Sequence, residues 1–330
     1  MSLATLDFEQ PIFALEEEIR RLREAPDAGA PDTQSRLAEL QAELERQMAA
    51  VYSRLTPWQR VQLARHPCRP HALDLIGMTM TDWTELSGDR LFGDDKACVA
   101  GFARLDGRPV AVIGHQKGTD VRDNAFRNYG SMHPEGYRKA MRVMRIAERT
   151  GRPVVVFIDT QGAFPGVGAE ERGQAEAIAR NIMEMSMLRT PVVCTVIGEG
   201  GSGGALGIGV GDRLLMMENA YYSLISPEGC ASILWRDAKF APQAAEALKL
   251  TSSDLKQLGI VDEVIPEPLG GAHRDPRAAA RSVAEAITRH LSELMTVDRD
   301  ELVERRYGKY RSIGKFEEEF EPQMNTNEHR

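Results

Sequence analysis

The chain has 330 residues, with 41 Lys and Arg against 49 Asp and Glu, for a formal net charge of −8. At 42% hydrophobic and 27% charged residues it has the composition of a globular protein with a buried core, which excludes the disordered and collagenous classes. The negative balance argues against nucleic acid or an anionic membrane as a partner, and no apolar run of about 18 residues is present to span a bilayer.

The opening residues, Met1 to Glu9, lack the basic and apolar regions of a signal peptide. Cys68, Cys98, Cys194 and Cys230 form no C-x-x-C pair, and His66, His71 and His133 show no metal-ligand spacing, so no metal is expected. A reducing, cytoplasmic setting fits these features.

In chain order, Ile12, Leu15, Ile19 and Leu22 recur at 3-4-3 spacing. Leu37, Leu40, Leu44, Met48, Val51 and Leu55 follow at 3-4-4-3-4. Both are stripes of amphipathic helices. The Pro26–Asp32 stretch between them has turn composition, which predicts an αα-hairpin over about residues 11–55, with Asp32 or Thr33 capping the second helix. Such a hairpin cannot bury its stripe alone and must dock on its own body or on a partner. From about residue 96, β-rich runs alternate with helices: Cys98–Leu105, Val110–Gly114, Val154–Asp159, Val192–Ile197, Leu214–Met217 and Tyr221–Ile225. Pro134 opens one helix, with Tyr137, Met141, Met144 and Ala147 on one face; a second is predicted over Glu170–Leu188, and a third region over about 276–306. This rhythm defines an α/β domain. The expected division is a helical hairpin over 1–60, a catalytic domain over 61–310 and an acidic, solvated tail over 311–330.

Two segments repeat a strand, glycine-rich turn and helix. Val154–Asp159 leads into Gln161-Gly162-Ala163-Phe164-Pro165-Gly166-Val167-Gly168, and Val192–Ile197 leads into Gly198-Glu199-Gly200-Gly201-Ser202-Gly203-Gly204. The second turn fits two motifs. As G-x-G-x-x-G, with Glu218 downstream, it reads as a dinucleotide site, although the following stretch is short and glycine-broken for a crossover helix. As G-x-S-x-G it reads as a nucleophile elbow, with Ser202 as nucleophile and Asp262 and His273 in triad order. Glycine at this density is costly in entropy for packing alone, so close approach of a ligand to the backbone is the better reading. Neither turn contains Lys or Arg, which tilts the ligand from phosphate toward a developing oxyanion of acyl or carboxyl chemistry.

Six ordered blocks carry a resemblance: Gly114-His115-Gln116-Lys117-Gly118; Pro134-Glu135-Gly136-Tyr137-Arg138-Lys139-Ala140; Phe164 through Gln174; Gly198 through Gly204; Ile225 through Trp235; and Pro266 through His273. Together they resemble the carboxyltransferase α subunit of bacterial multisubunit acetyl-CoA carboxylase, over nearly the whole chain. The resemblance implies a crotonase-like (ClpP/crotonase) α/β fold, a superhelix of ββα units, behind the N-terminal hairpin. It implies work with a separate β subunit in an α2β2 assembly, moving a carboxyl group from carboxybiotin on the biotin carboxyl carrier protein to acetyl-CoA, to give malonyl-CoA for fatty-acid synthesis. Biotin carboxylase belongs to the wider complex, no cofactor is bound covalently to this chain, and zinc is expected only on the β subunit. Carried onto this sequence, the backbone N–H groups of Gly203 and Gly204 face an oxyanion, with Gly166 or its neighbours opposite and Ala205 an alternative donor. Phe164, Pro165, Val167 and Ala205 line the biotin side, and Arg138 and Lys139 meet coenzyme A or the partner subunit. Gln161 departs from the proline expected there, which puts the rigidity of the first turn in question. A free-standing crotonase-like hydratase or hydrolase is the alternative.

Overall fold

The two most apolar runs of the chain become neighbouring central strands, which fixes where their glycine turns emerge. The computed structural model describes residues 6–314. Eight strands form one sheet: β1 (Met80–Glu85), β2 (Cys98–Leu105), β3 (Arg108–His115), β4 (Val154–Thr160), β5 (Val192–Gly201), β6 (Arg213–Met217), β7 (Tyr221–Ser223) and β8 (Glu263–Ile265). Their order is β1-β2-β3-β4-β5-β6-β8, with β7 paired to the far end of β5. The first three strands are antiparallel, and β3 to β6 and β8 run parallel. Every residue of β4 and β5 is buried, as parallel strands covered on both faces require. The β2–β3 hairpin turns through Asp106 and Gly107, both at positive φ, the Asp-Gly signature of a two-residue turn.

The hairpin forms as α1 (Gln10–Glu24) and α2 (Pro31–Tyr52), with Ile19, Leu37 and Leu40 buried between the helices. Its predicted cap is corrected. Ala30 is the cap residue and Pro31 the first helical position, while the Thr33 hydroxyl donates to Asp27 Oδ2 at 3.2 Å instead. Helix α3 (Pro57–Ala64), opened by a Thr56–Gln59 capping box, crosses the boundary expected at residue 60 and buries Val61 and Ala64 with Tyr221 and Leu250 on the body. The expected acidic tail beyond Gly314 lies outside the described residues.

Helix α4 (Ala72–Thr79) leads into β1, and α5 (Val121–Phe126) follows β3. Helix α6 (Pro134–Arg149) buries Tyr137, Met141, Met144 and Ala147, the predicted face. The single helix predicted over Glu170–Leu188 is two helices, α7 (Val167–Glu171) and α8 (Gln174–Met187), parted by Gly173 at φ +82°. After β5 come α9 (Ser202–Leu206), α10 (Pro227–Trp235), α11 (Ala241–Ala247), α12 (Ser252–Gln257), α13 (Pro276–Leu294) and α14 (Arg299–Arg311). Two strands escaped the sequence reading. β1 is an edge strand, largely exposed and bulged between Thr81 and Thr84, and β8 has three residues. Neither carries a period-2 apolar pattern long enough to register.

Helix α14 is held by one buried cation. The Arg306 guanidinium pairs with Asp212 at 2.8 and 2.9 Å and donates to the carbonyl oxygens of Met185, Leu188 and Thr190. Asp212 also accepts from Val192 N–H, at the start of β5. Replacing Arg306 with Met leaves that carboxylate buried without its cation. The expected loss is about 3–5 kcal/mol of stability, read by urea unfolding.

Candidate active site

The β4–β5 ladder slips as it ends: Ile158 pairs with Val196, but Thr160 pairs with Gly200. The extra residues of β5 bulge, and Asp159 fills the space, its Oδ1 accepting the Glu199 N–H at 3.0 Å. A Cβ on Gly198 would come within 2.6 Å of that oxygen, so this position must be glycine. The bulge turns the end of β5 toward the turn after β4. There a Cβ on Gly201 would lie 2.2 Å from the Gln161 carbonyl oxygen, and one on Gly204 2.3 Å from the Ala163 nitrogen. The two glycine turns therefore touch backbone to backbone. The Thr160 hydroxyl pins the first turn, donating to Gly162 O at 2.8 Å and accepting from Gly162 N–H at 3.1 Å. This hydroxyl supplies restraint at the turn where Gln161 replaces the expected proline.

The second turn opens α9. Its cap, Gly201, has no side chain to accept a hydrogen bond, so the N–H groups of Ser202, Gly203 and Gly204 have no partner within the helix. Ser202 sits at φ +58°. A Cβ on Gly203 would meet nothing within 4 Å, and Gly203 borders a cavity of about 370 Å³ with Leu206, Tyr222, Leu224 and Leu258. From below, the Tyr137 hydroxyl donates to Gly204 O at 3.2 Å, and Asn181 Nδ2 donates to Tyr137 O and Gly207 O.

Behind the turns lies a buried charge network. Lys117 Nζ meets Asp159 Oδ1 at 2.7 Å and Glu199 Oε2 at 3.0 Å. His71 Nδ1 lies 2.9 Å from Asp159 Oδ2, and the Tyr221 hydroxyl donates to Glu199 Oε1 at 3.0 Å. Arg65 joins Glu199 to Glu228. Burial alone would raise the Asp159 and Glu199 carboxyls, yet the Lys117 ammonium beside both, together with His71 at Asp159 and Arg65 at Glu199, holds them below the usual carboxylate range. Burial pushes the neighbouring His115 down to about 3, so its ring stays neutral. Sequence reading missed this network as a unit, although acids ending two valine-rich strands (Asp159 and Glu199) were its visible sign.

The structure brings together only part of the predicted set. Gly203 and Gly204 occupy the second and third helical positions, where their amides have no partner within the helix. Ala205, at the fourth, is fully buried and its N–H belongs to the helix, so it is removed as a donor or biotin contact. Gly166 does not oppose the second turn through a shown contact: that role falls to Gln161–Ala163, while Gly166 caps α7 against the Phe164 ring. The Phe164 ring stacks on His133 at 4.1 Å, and Gln174 fixes its carbonyl, so Phe164 shapes the first turn rather than an open slot. Pro165 is exposed and Val167 is 76% exposed. Arg138 is half-buried, bound to Asp89 and Glu135. Lys139 is wholly buried, bound by Glu85, Asp94 and the Cys98 carbonyl, and is withdrawn as a substrate contact.

Neither motif reading of the second turn assembles. Asp262 caps Leu214 N–H and pairs with Lys309, while His273 stacks on His66 at 4.0 Å beside Glu9. Both triad partners are thus committed away from Ser202. Helix α9, with five residues, is too short for a dinucleotide crossover. Among the described residues, Glu9, His66 and His273 form one group with metal-ligand atoms within 4.8 Å of one another. Its bonds are those of a tether. Glu9 accepts from the Tyr52 hydroxyl and, at 3.5 Å, from Arg274, and His66 Nδ1 accepts from Cys68 N–H. The adjacent guanidinium opposes a second cation there.

The fold, with these two facing turns at the ends of parallel strands, is that of the crotonase-like carboxyltransferases. It aligns with transcarboxylase 12S at a TM-score of 0.53 and 21% identity, covering 66% of this chain and 41% of that one. With a Pseudomonas malonate decarboxylase hetero-tetramer solved with coenzyme A, the TM-score is 0.54 at 18% identity, covering 66% and 86%. The family model described as acetyl co-enzyme A carboxylase carboxyltransferase-like matches residues 5–314. The acetyl-coenzyme A carboxylase carboxyl transferase subunit alpha of Thioalkalivibrio sulfidiphilus (strain HL-EbGR7) is 56% identical over 313 residues, 95% of this chain and 98% of that protein. The protein of the same name from Syntrophotalea carbinolica (strain DSM 2380 / NBRC 103641 / GraBd1) is 55% identical over 309 residues, 93% and 97%. The chain belongs to the family of acetyl-CoA carboxylase carboxyltransferase α subunits.

Two measurements check the site's construction. Gly204→Ala forces a backbone contact apart and is expected to cost about 1–3 kcal/mol, whereas Gly203→Ala enters open space and leaves stability unchanged or raised by up to ~1 kcal/mol, both read by thermal unfolding. His115 is neutral in the folded chain down to about 3, but protonates in the unfolded chain near its ordinary value of about 6.5. Stability therefore falls as pH drops below about 6.5, and a His115→Gln variant shows a shallower dependence of melting temperature on pH between about 6.5 and 4.5.

Proposed function

We propose that this chain is the α half of a biotin-dependent carboxyltransferase, which transfers a carboxyl group from carboxybiotin to acetyl-CoA to give malonyl-CoA. It works with a separate β subunit, in an α2β2 assembly in the cytoplasm. The biotin carboxyl carrier protein delivers the biotin, biotin carboxylase completes the wider complex, and the zinc belongs to the β subunit. The observation that carries this reading is the pair of amides at Gly203 and Gly204, which have no partner within their helix, with Gly203 bordering a mainly apolar cavity and no basic side chain in the turn. Kinship to the α-subunit family supports the same assignment.

The residues fit a ureido ring. Gly203 leaves room for a ligand to reach the backbone, and Leu206, Leu224 and Leu258 offer it apolar surface, with Lys249 also lining the cavity. Carboxybiotin supplies the carboxyl group and, once that has left, a ureido anion able to take a proton from the acetyl methyl. The Gly203 and Gly204 amides stabilise negative charge on the ureido oxygen as donors already oriented before the reaction. The Lys117–Asp159–Glu199 network holds the bulge that aims them. No side-chain general base is required of this chain, because the proton leaves the methyl group for the ureido nitrogen as the carboxyl carbon is captured.

The chain alone is expected to be inactive and the reconstituted α–β pair active in biotin-dependent carboxyl transfer. Gly204→Val lowers kcat of the pair by about 10²–10³, and Ser202→Ala retains activity. Full activity of Gly204→Val, or an acyl-CoA hydrolysis by the chain alone that Ser202→Ala abolishes, contradicts the assignment.

A further inference from the structure

A groove of about 550 Å³ runs between α6 and α8, away from the glycine turns. Half of its twelve lining residues are arginines: Arg90, Arg138, Arg142, Arg145, Arg149 and Arg180. Against them stand Asp89, Glu148 and Glu184 in the lining, with Glu135 and Glu176 paired to Arg138 and Arg180, so the groove stays positive in a chain whose net charge is −8. A concentration of one sign against the overall balance draws in counter-ions.

The arginines fall into two groups. Four are fixed in place. Arg138 is held by Asp89 and Glu135, Arg142 by the carbonyl oxygens of Gly88 and Ser87 at 3.0 and 3.1 Å, Arg145 by Glu184, and Arg180 by Glu176 at 2.6 Å. The other two, Arg90 and Arg149, are exposed, and no ion pair engages either among the described residues. Arg90 is nevertheless not on a loose loop. Asp89 Oδ1 accepts from the N–H groups of Leu91, Phe92 and Gly93 at 2.8 to 3.0 Å, while its Oδ2 takes the Arg138 guanidinium. Burial, and then the like charge of Arg90, depress the Arg142 guanidinium below its ordinary value, a repulsion that a bound anion relieves.

We propose that this groove binds a small organic polyphosphate, with Arg90 and Arg149 as its principal partners. The planar guanidinium fork matches a phosphoryl group in two parallel hydrogen bonds, and several such groups in one groove favour a ligand with two or more linked phosphates over a single anion. The volume suits a nucleotide-sized molecule. A pyrophosphate linkage is common to coenzyme A and to free nucleoside polyphosphates, and either source meets this chemistry. The inference is independent of the carboxyl-transfer reading, because its test reads binding and not turnover.

The test is calorimetric titration of the full-length chain with sodium pyrophosphate and, separately, with coenzyme A, at 50 mM salt. Each of Arg90→Ala and Arg149→Ala is expected to weaken binding about tenfold to a hundredfold, and Arg149→Lys by less. Raising the salt to 200 mM weakens it further. Arg21→Ala, on α1, and Arg54→Ala, in the turn after α2, leave it unchanged. All these side chains are exposed, and unchanged melting temperatures confirm folded variants. Arginine-dependent binding of coenzyme A that pyrophosphate displaces supports the site with a thioester's phosphates as ligand. Arginine-dependent binding of pyrophosphate without such competition supports it with a free polyphosphate. Absence of binding at millimolar pyrophosphate and coenzyme A, or equal affinity in the wild-type and the Arg90→Ala/Arg149→Ala double variant, overturns the proposal.

Discussion

Backbone-to-backbone contact between the turns that end β4 and β5 is the constraint on which the site depends. Two Cβ positions, on Gly201 and Gly204, would otherwise fall 2.2 and 2.3 Å from the main chain of Gln161–Ala163. Glycine here is a packing requirement as much as a conformational one. It brings the two strands' ends together, and it leaves the first amides of α9 with neither a side chain nor a carbonyl to satisfy them. Such amides are costly in a closed core and useful at the mouth of a cavity, where a ligand oxygen supplies the missing acceptor.

That contact is kept by charge. Lys117 stands between two buried carboxylates, one of which fills the β5 bulge. Coulomb attraction in a low-dielectric interior offsets part of the desolvation of all three groups, and the hydrogen bonds from His71, Tyr221 and the Glu199 amide satisfy remaining lone pairs. The arrangement gives the turns a fixed direction, which hydrophobic packing, being non-directional, does not.

The central sheet was legible from the chain because its strands are continuous valine runs and its hairpin carries Asp106-Gly107. The N-terminal helices were legible from their leucine spacing. The break at Gly173 was not, since glycine inside a helical pattern does not announce a left-handed residue. Gly203 and Gly204 were read as donors from turn chemistry and family resemblance together, but their numbering within α9, which removes Ala205, depends on where Gly201 caps the helix. Lys139 and Gly166 illustrate the limit. A lysine in a basic run reads as surface until its ammonium is found beneath Glu85 and Asp94, and a glycine beside a phenylalanine reads as open until the ring covers it. Side-chain direction across distant elements is tertiary information that local pattern does not carry.

The tether at Glu9 has a consequence for how the chain is made. Its partner Arg274 stands 265 residues further on, so the N-terminal helices cannot seat until most of the polypeptide has left the ribosome. Through that interval the leucine stripe is already covered by the hairpin's own two helices, whereas Glu9 and Ile12, both buried in the seated chain, wait for the body. The first part synthesised is thus among the last to settle, and what stays open meanwhile is the seating face around Glu9 and Ile12, not the hairpin's own leucines.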